Sequence, residues 1–146
     1  MAALQGDAVP VSDRLRCIDA MAVLFKDCFA ARCSPHLGHL DEPGANPLND
    51  ICYMWWDILP LHGLEHHYPQ RPDSAAIDRR ILSVMAQGLS LNSDACLESS
   101  LHGLDHWRPY YGKEVKQIID NFIKAKPRLR PELRTYALTA RRGYVL

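Results

Sequence analysis

Leu101-His102-Gly103-Leu104-Asp105-His106-Trp107-Arg108-Pro109 has an echo forty residues upstream, Leu61-His62-Gly63-Leu64-Glu65-His66-His67-Tyr68-Pro69. Six of the nine aligned positions are identical, and a seventh exchanges Glu65 for Asp105. Self-similarity at a fixed period of roughly 20–50 residues marks architectures built by stacking one supersecondary unit. Apolar residues recur at three- and four-residue spacing around both stretches, the period of a helix that buries one face.

Ahead of the first copy, Ile51, Met54, Trp55, Ile58 and Leu59 give an apolar face to a helix that starts at Asn46-Pro47. Asparagine caps its free amides, and proline suits the first turn, where no N–H is needed. Pro60 is expected to end or kink it, and residues 61–72 to form a short helical or irregular connector. Ile77, Ile81, Val84 and Met85 line a helix over residues 74–87, closed by Gly88 in the left-handed conformation. Leu97, Leu101 and Leu104 share one side of a helix from Asn92-Ser93 to Trp107, with Arg108-Pro109 as its stop. Glu98, one turn before His102, is placed to pair with it on the helix surface. Val115, Ile118, Ile119 and Phe122 then define a helix over residues 113–124. Leu133, Tyr136, Ala137 and Ala140 define a last one from Pro131 to Gly143. At the other end, Ser12 is a suitable cap for a helix reaching Cys33 along Leu15, Ile18, Ala22, Phe25 and Phe29. The loop over residues 36–47 carries His36 and His39 as exposed histidines. No segment alternates as a strand does, so the expected fold is all-α.

About six helices, paired by short turns and repeating near forty residues, resemble HEAT and armadillo arrays. The resemblance covers residues 46–146. It implies antiparallel helix pairs stacked as a short HEAT-like solenoid, and the alternative is an irregular helical bundle. The chain reads as one domain over residues 1–146: residues 1–11 disordered, 12–45 an N-terminal helix and loop, 46–146 the repeat region.

With 146 residues, 47% hydrophobic and 23% charged, the chain can bury a core and is not a disordered polymer. No apolar run approaches the ~20 residues that span a bilayer, and the N-terminus has no signal-peptide pattern. The five cysteines form no Cys-x-x-Cys pair, which suits reduced thiols. These features lead to the expectation of a cytoplasmic protein without a membrane partner. Net charge is zero, but seven basic residues from Lys124 to Arg142 face the single acid Glu132.

Three functional expectations follow. The first is a non-catalytic protein–protein interaction module, an adaptor or immunity-type protein without a cofactor. Its protein partner would enter an aromatic and acidic groove of Trp56, Asp57, Trp107 and Tyr110, since adjacent tryptophans lie about 100° apart on a helix and Trp56 is expected to face out. The second rests on the repeated stretch itself. His62, Glu65 and His66, and again His102, Asp105 and His106, place two imidazoles one turn apart with a carboxylate beside them. That pattern resembles the His-x-x-Glu-His arrangement of inverted zinc proteases, which implies a zinc hydrolase; imidazole and carboxylate ligands suit Zn or Fe, so a metal-dependent oxidase is the other form of this expectation. The structural alternative is histidines that stabilise helix ends. The third is phosphate-backbone binding through Arg128, Arg130, Arg134, Arg141 and Arg142, which zero net charge disfavours.

Overall fold

The second copy of the repeated stretch lies inside the longest helix of the described residues, and other elements pack around it. A computed structural model describes residues 9–59 and 62–144. Helix α1 runs Val11–Leu24, continues through a π-helical segment Phe25–Phe29 and ends in a turn Ala30–Arg32. A 3-10 turn, Gly38–Leu40, follows. Helix α2 is Pro47–Tyr53 and tightens into a second 3-10 turn, Met54–Trp56. Then come α3, Leu64–His67; α4, Ser74–Gly88; α5, Asp94–Ala125; and α6, Pro131–Arg142. No strand occurs among the described residues.

Helix α5 is the hub. It packs against α2, α4 and α6, while α1 lies on α4. From Ala95 to Asp105 every residue of α5 is buried, as a helix enclosed on all sides must be. Asn46 caps α2 by accepting from the Leu48 amide at 2.9 Å. Ser93 caps α5 at the Cys96 amide. Helix α1 is entered from Pro10, not capped by Ser12, which lies within it. Gly88 stays helical instead of closing α4 in the left-handed region.

Helix α5 is two helical segments joined across a kink at Tyr111, where φ is −125° and ψ is 43°, so the break expected at Arg108-Pro109 falls just past the proline. Proline inside a helix costs about 3 kcal/mol. Trp107, Tyr111, Val115, Ile119 and Phe122 are buried on both sides of the kink. At about 1.5–3 kcal/mol for each fully buried large side chain, that packing outweighs the proline.

The two copies of the repeated stretch adopt different conformations. Gly103 is helical, whereas Gly63 sits at φ 63°, and the chain turns there into the short α3. The first amides of α3 are held from outside: the Asp78 carboxylate on α4 accepts from Leu64 and Glu65, each at 2.9 Å. A hub helix and two dissimilar copies leave the stacked helix-pair arrangement unconfirmed; all-α is what holds. Pro60 and residues 1–8 lie outside the described residues, as does most of the segment expected to be disordered.

The apolar face expected for the second helix is only partly the buried one. Leu59 is buried and Trp55 packs on the core, as expected, but Cys52 and Trp56 also point inward, and Ile51, Met54 and Ile58 point to solvent, 53%, 44% and 57% exposed. Nearly the whole circumference is apolar, so periodicity alone could not choose the inner side.

Candidate metal centre

Trp56 sets the geometry of the site. It is 1% exposed, and its ring lies 5.5 Å from that of Phe25. On its other side it presses on the bare backbone of Gly103. A Cβ at position 103 would lie 2.6 Å from Trp56 Cγ and Cδ1. The 3-10 turn ends at Asp57, whose amide donates to the Met54 carbonyl at 3.1 Å. With Trp56 seated against α5, the next side chain reaches the His102–His106 face of that helix.

There the three side chains converge. His102 Nε2 lies 2.9 Å from Asp57 Oδ2, His106 Nε2 lies 3.0 Å from Asp57 Oδ1, and the two Nε2 atoms are 3.2 Å apart. A neutral imidazole has one N–H and one bare nitrogen. If both Nε2 atoms carry protons, donor faces donor across the third edge. If one is bare, its lone pair faces the carboxylate. With a carboxylate at Asp57 and each N–H given to one acceptor, no placement of protons satisfies all three edges, whereas a cation at their centre does. Donors arranged tetrahedrally at the ~2.0 Å bonds of zinc are about 3.3 Å apart, close to the edges seen here.

The surrounding groups suit the same chemistry. His102 Nδ1 is 3.1 Å from the Tyr136 hydroxyl, which in turn meets the Tyr53 hydroxyl at 3.1 Å. The hydroxyl can accept from Nδ1–H or donate to a bare Nδ1; in the first case His102 presents Nε2 as a lone pair, as ligating histidines do. Burial pushes the Tyr136 phenol up, so it remains a neutral hydroxyl. Burial also lowers the pKa of His102, against the opposing pull of the Asp57 charge. Burial lowers that of His62 as well, helped by the neighbouring His106. The Asp57 side chain is 26% exposed and that of His106 15%, so solvent reaches one side of the trio.

The lowered histidine values carry a stability consequence. Below the ordinary histidine pKa of about 6.5 the unfolded chain binds more protons at these positions than the folded one. In the metal-free protein their contribution is full above that pH and is lost as pH falls through it toward the folded values. The urea midpoint should therefore drop between pH 7.5 and 5, and should drop less in His102→Gln. A midpoint that rises on acidification, or an unchanged slope in the variant, contradicts this.

The other expected site residues are placed as follows. Glu65 Oε2 accepts from the Tyr111 hydroxyl at 2.7 Å, and His66 packs on Tyr110 and Tyr111, away from the trio. Asp105 is buried on α5 and His62 lies beside His106, ring centroids 5.3 Å apart. The two motifs thus contribute unequally, and the carboxylate that joins His102 and His106 is Asp57. Asp57 belongs to the expected groove, and its 45-residue separation from His102 along the chain gives no spacing that links the two.

The aromatic groove does not form as expected. Trp56 and Trp107 are each 1% exposed and belong to the core. Tyr110 is half-buried, packed over Gly63, with its hydroxyl 3.1 Å from His67 Nε2. Glu98 does not pair with His102 on a surface. It is buried, and accepts from the amides of Gly38 and His39 and from the His39 ring, so His39 is not a free loop histidine. Of the basic residues, Arg130 pairs with Glu42 and Glu132, and Arg141 pairs with Asp120. Arg128, Arg134 and Arg142 are exposed.

No protein-family model, curated protein or solved structure matches this chain.

Proposed function

We propose that the protein binds one divalent ion of the zinc class through Asp57, His102 and His106, and uses it for hydrolysis. The observation that carries this reading is the triangle of Asp57, His102 and His106 donor atoms, 2.9 to 3.2 Å on a side, which with a carboxylate at Asp57 leaves one edge without a proton of its own. Bound at three protein ligands, zinc polarises a carbonyl or phosphoryl group and lowers the pKa of a bound water to about 7. The chain does the rest. Tyr136 holds His102 in the ligating tautomer, Trp56 locks Asp57 against α5, and the exposed edge of Asp57 and His106 leaves an approach for substrate.

The test compares chelator-stripped and zinc-reconstituted protein on p-nitrophenyl acetate. Hydrolysis should depend on zinc and fall at least about 100-fold in Asp57→Ala, the lower end of what a positioned catalytic group contributes. Equal rates with and without zinc contradict the reading.

A second reading, docking of a protein partner, is favoured by a different observation. Ile51, Met54 and Ile58 form an outward apolar stripe on α2 and the turn after it. The stripe, and not the buried tryptophans, would carry the contact.

A further inference from the structure

We infer that the cleft between the start of α1 and the segment before α4 is an anion site, built on the buried guanidinium of Arg14, for a small molecule that carries a phosphate group. The inference uses none of Asp57, His102 and His106 and does not rest on the metal reading.

Arg14 is the residue to explain. It is 5% exposed, although arginine is almost never fully buried unless it is paired. Its Nη2 is paired with Asp73, but Nε and Nη1 are buried and have no hydrogen-bond partner. A buried cation is costly unless its donors meet acceptors, and buried donors without a partner call for an explanation. An oxyanion supplies the missing acceptor, because the planar guanidinium matches the oxygens of a carboxylate or phosphate.

A cleft of about 730 Å³ lies against this side chain, within the range of small-molecule sites. Arg71 lines it too, with Nε 3.8 Å from Asp73 Oδ1 and its guanidinium 5.9 Å from the Tyr68 ring centre. Two guanidiniums thus share one carboxylate, and positive charge is left over. The start of α1 adds to it. Helix α1 has 14 residues, and Pro10 at its entry supplies no side-chain cap. Pro10 and Val11 line the cleft, so the positive end of the helix dipole stands beside it. Asp13 in the first turn is paired with Arg16 at the surface. A phosphate monoester, with a charge of about −1.5 to −2 near neutral pH, suits this surplus better than a carboxylate does. Val9, Val11 and Pro72 give the cleft apolar walls, which suit an apolar body behind the phosphate.

The bland explanation is a structural ion pair, Arg14 with Asp73, that ties α1 to the start of α4. That pair accounts for Nη2 and leaves Nε and Nη1 unexplained.

The test is titration of phenyl phosphate into the metal-free full chain, so that phosphate does not report on a bound ion. Arginine Nε–H resonances are followed by 1H–15N correlation, with Arg14→Gln and Arg71→Gln alongside. Saturable binding in the millimolar range or tighter, with a shift of the Arg14 Nε–H, is expected. Affinity should fall at least about tenfold in each variant, the scale of a lost charge-assisted hydrogen bond, and inorganic phosphate should bind more weakly than phenyl phosphate. No saturation, or saturation that leaves the Arg14 resonance unmoved, overturns the site. Tighter binding of benzoate than of phenyl phosphate overturns the phosphate assignment. The wild-type spectra decide the point even if Arg14→Gln folds poorly.

Discussion

Gly103→Ala is expected to lower stability by about 2 kcal/mol and to weaken metal binding together with it. Alanine for glycine inside a helix ordinarily gains up to about 1 kcal/mol. Here the added methyl would stand 2.6 Å from the Trp56 ring and 3.1 Å from Met85 Sδ. Trp56 is 1% exposed and backed by Phe25, so it cannot yield without opening a void elsewhere. Overpacking of this kind costs typically about 1–3 kcal/mol, and occasionally more. The clash outweighs the propensity gain. Any outward shift of Trp56 carries Asp57 with it, which is why affinity should fall alongside stability. Urea denaturation and zinc titration of the same sample check both. A variant as stable as the wild type contradicts the seating of Trp56 on α5.

His102→Ala should reduce zinc affinity by on the order of 100-fold or more. Loss of a mere second-shell partner already costs about 10–100-fold, and His102 is placed as a direct ligand. The same substitution leaves the Tyr136 hydroxyl with Tyr53 as its remaining partner, and the lost hydrogen bond costs the metal-free fold about 0.5–1.5 kcal/mol. Comparison with Asp57→Ala separates the two effects, because Asp57 makes no contact with that hydroxyl in the His102–Tyr136–Tyr53 chain. The two substitutions should also be non-additive in zinc affinity, as expected of groups sharing one ion. Full additivity would mean that His102 and Asp57 act separately.

Much of the helix content was legible because the apolar spacing around Ile77, Ile81, Leu101, Ile119 and Leu133 is regular, and Asn46 and Ser93 carry their capping chemistry in plain view. Three features were not. Pro109 marks a helix break in the sequence, but the break falls at Tyr111, two residues on, because the burial of Trp107 and Tyr111 that carries the helix past the proline is tertiary. The second helix is apolar on almost every side, so its spacing fits Ile51, Met54 and Ile58 inward and Trp56 outward, the reverse of what packing chooses. The repeated stretch suggested equal halves, but Gly63 turns the chain where Gly103 admits a tryptophan. His102 and His106 could be found from their one-turn spacing. Asp57 could not, because only the contact of Trp56 with Gly103 brings it to them.

Isothermal titration of zinc into untagged, chelator-stripped wild-type protein, with Asp57→Ala and His102→Ala alongside, tests the metal centre most directly. One equivalent bound in the micromolar range or tighter, with proton release on binding and loss of the heat in both variants, is the expected result. No saturable heat in the wild type, or wild-type binding in both variants, would contradict a centre built from Asp57, His102 and His106.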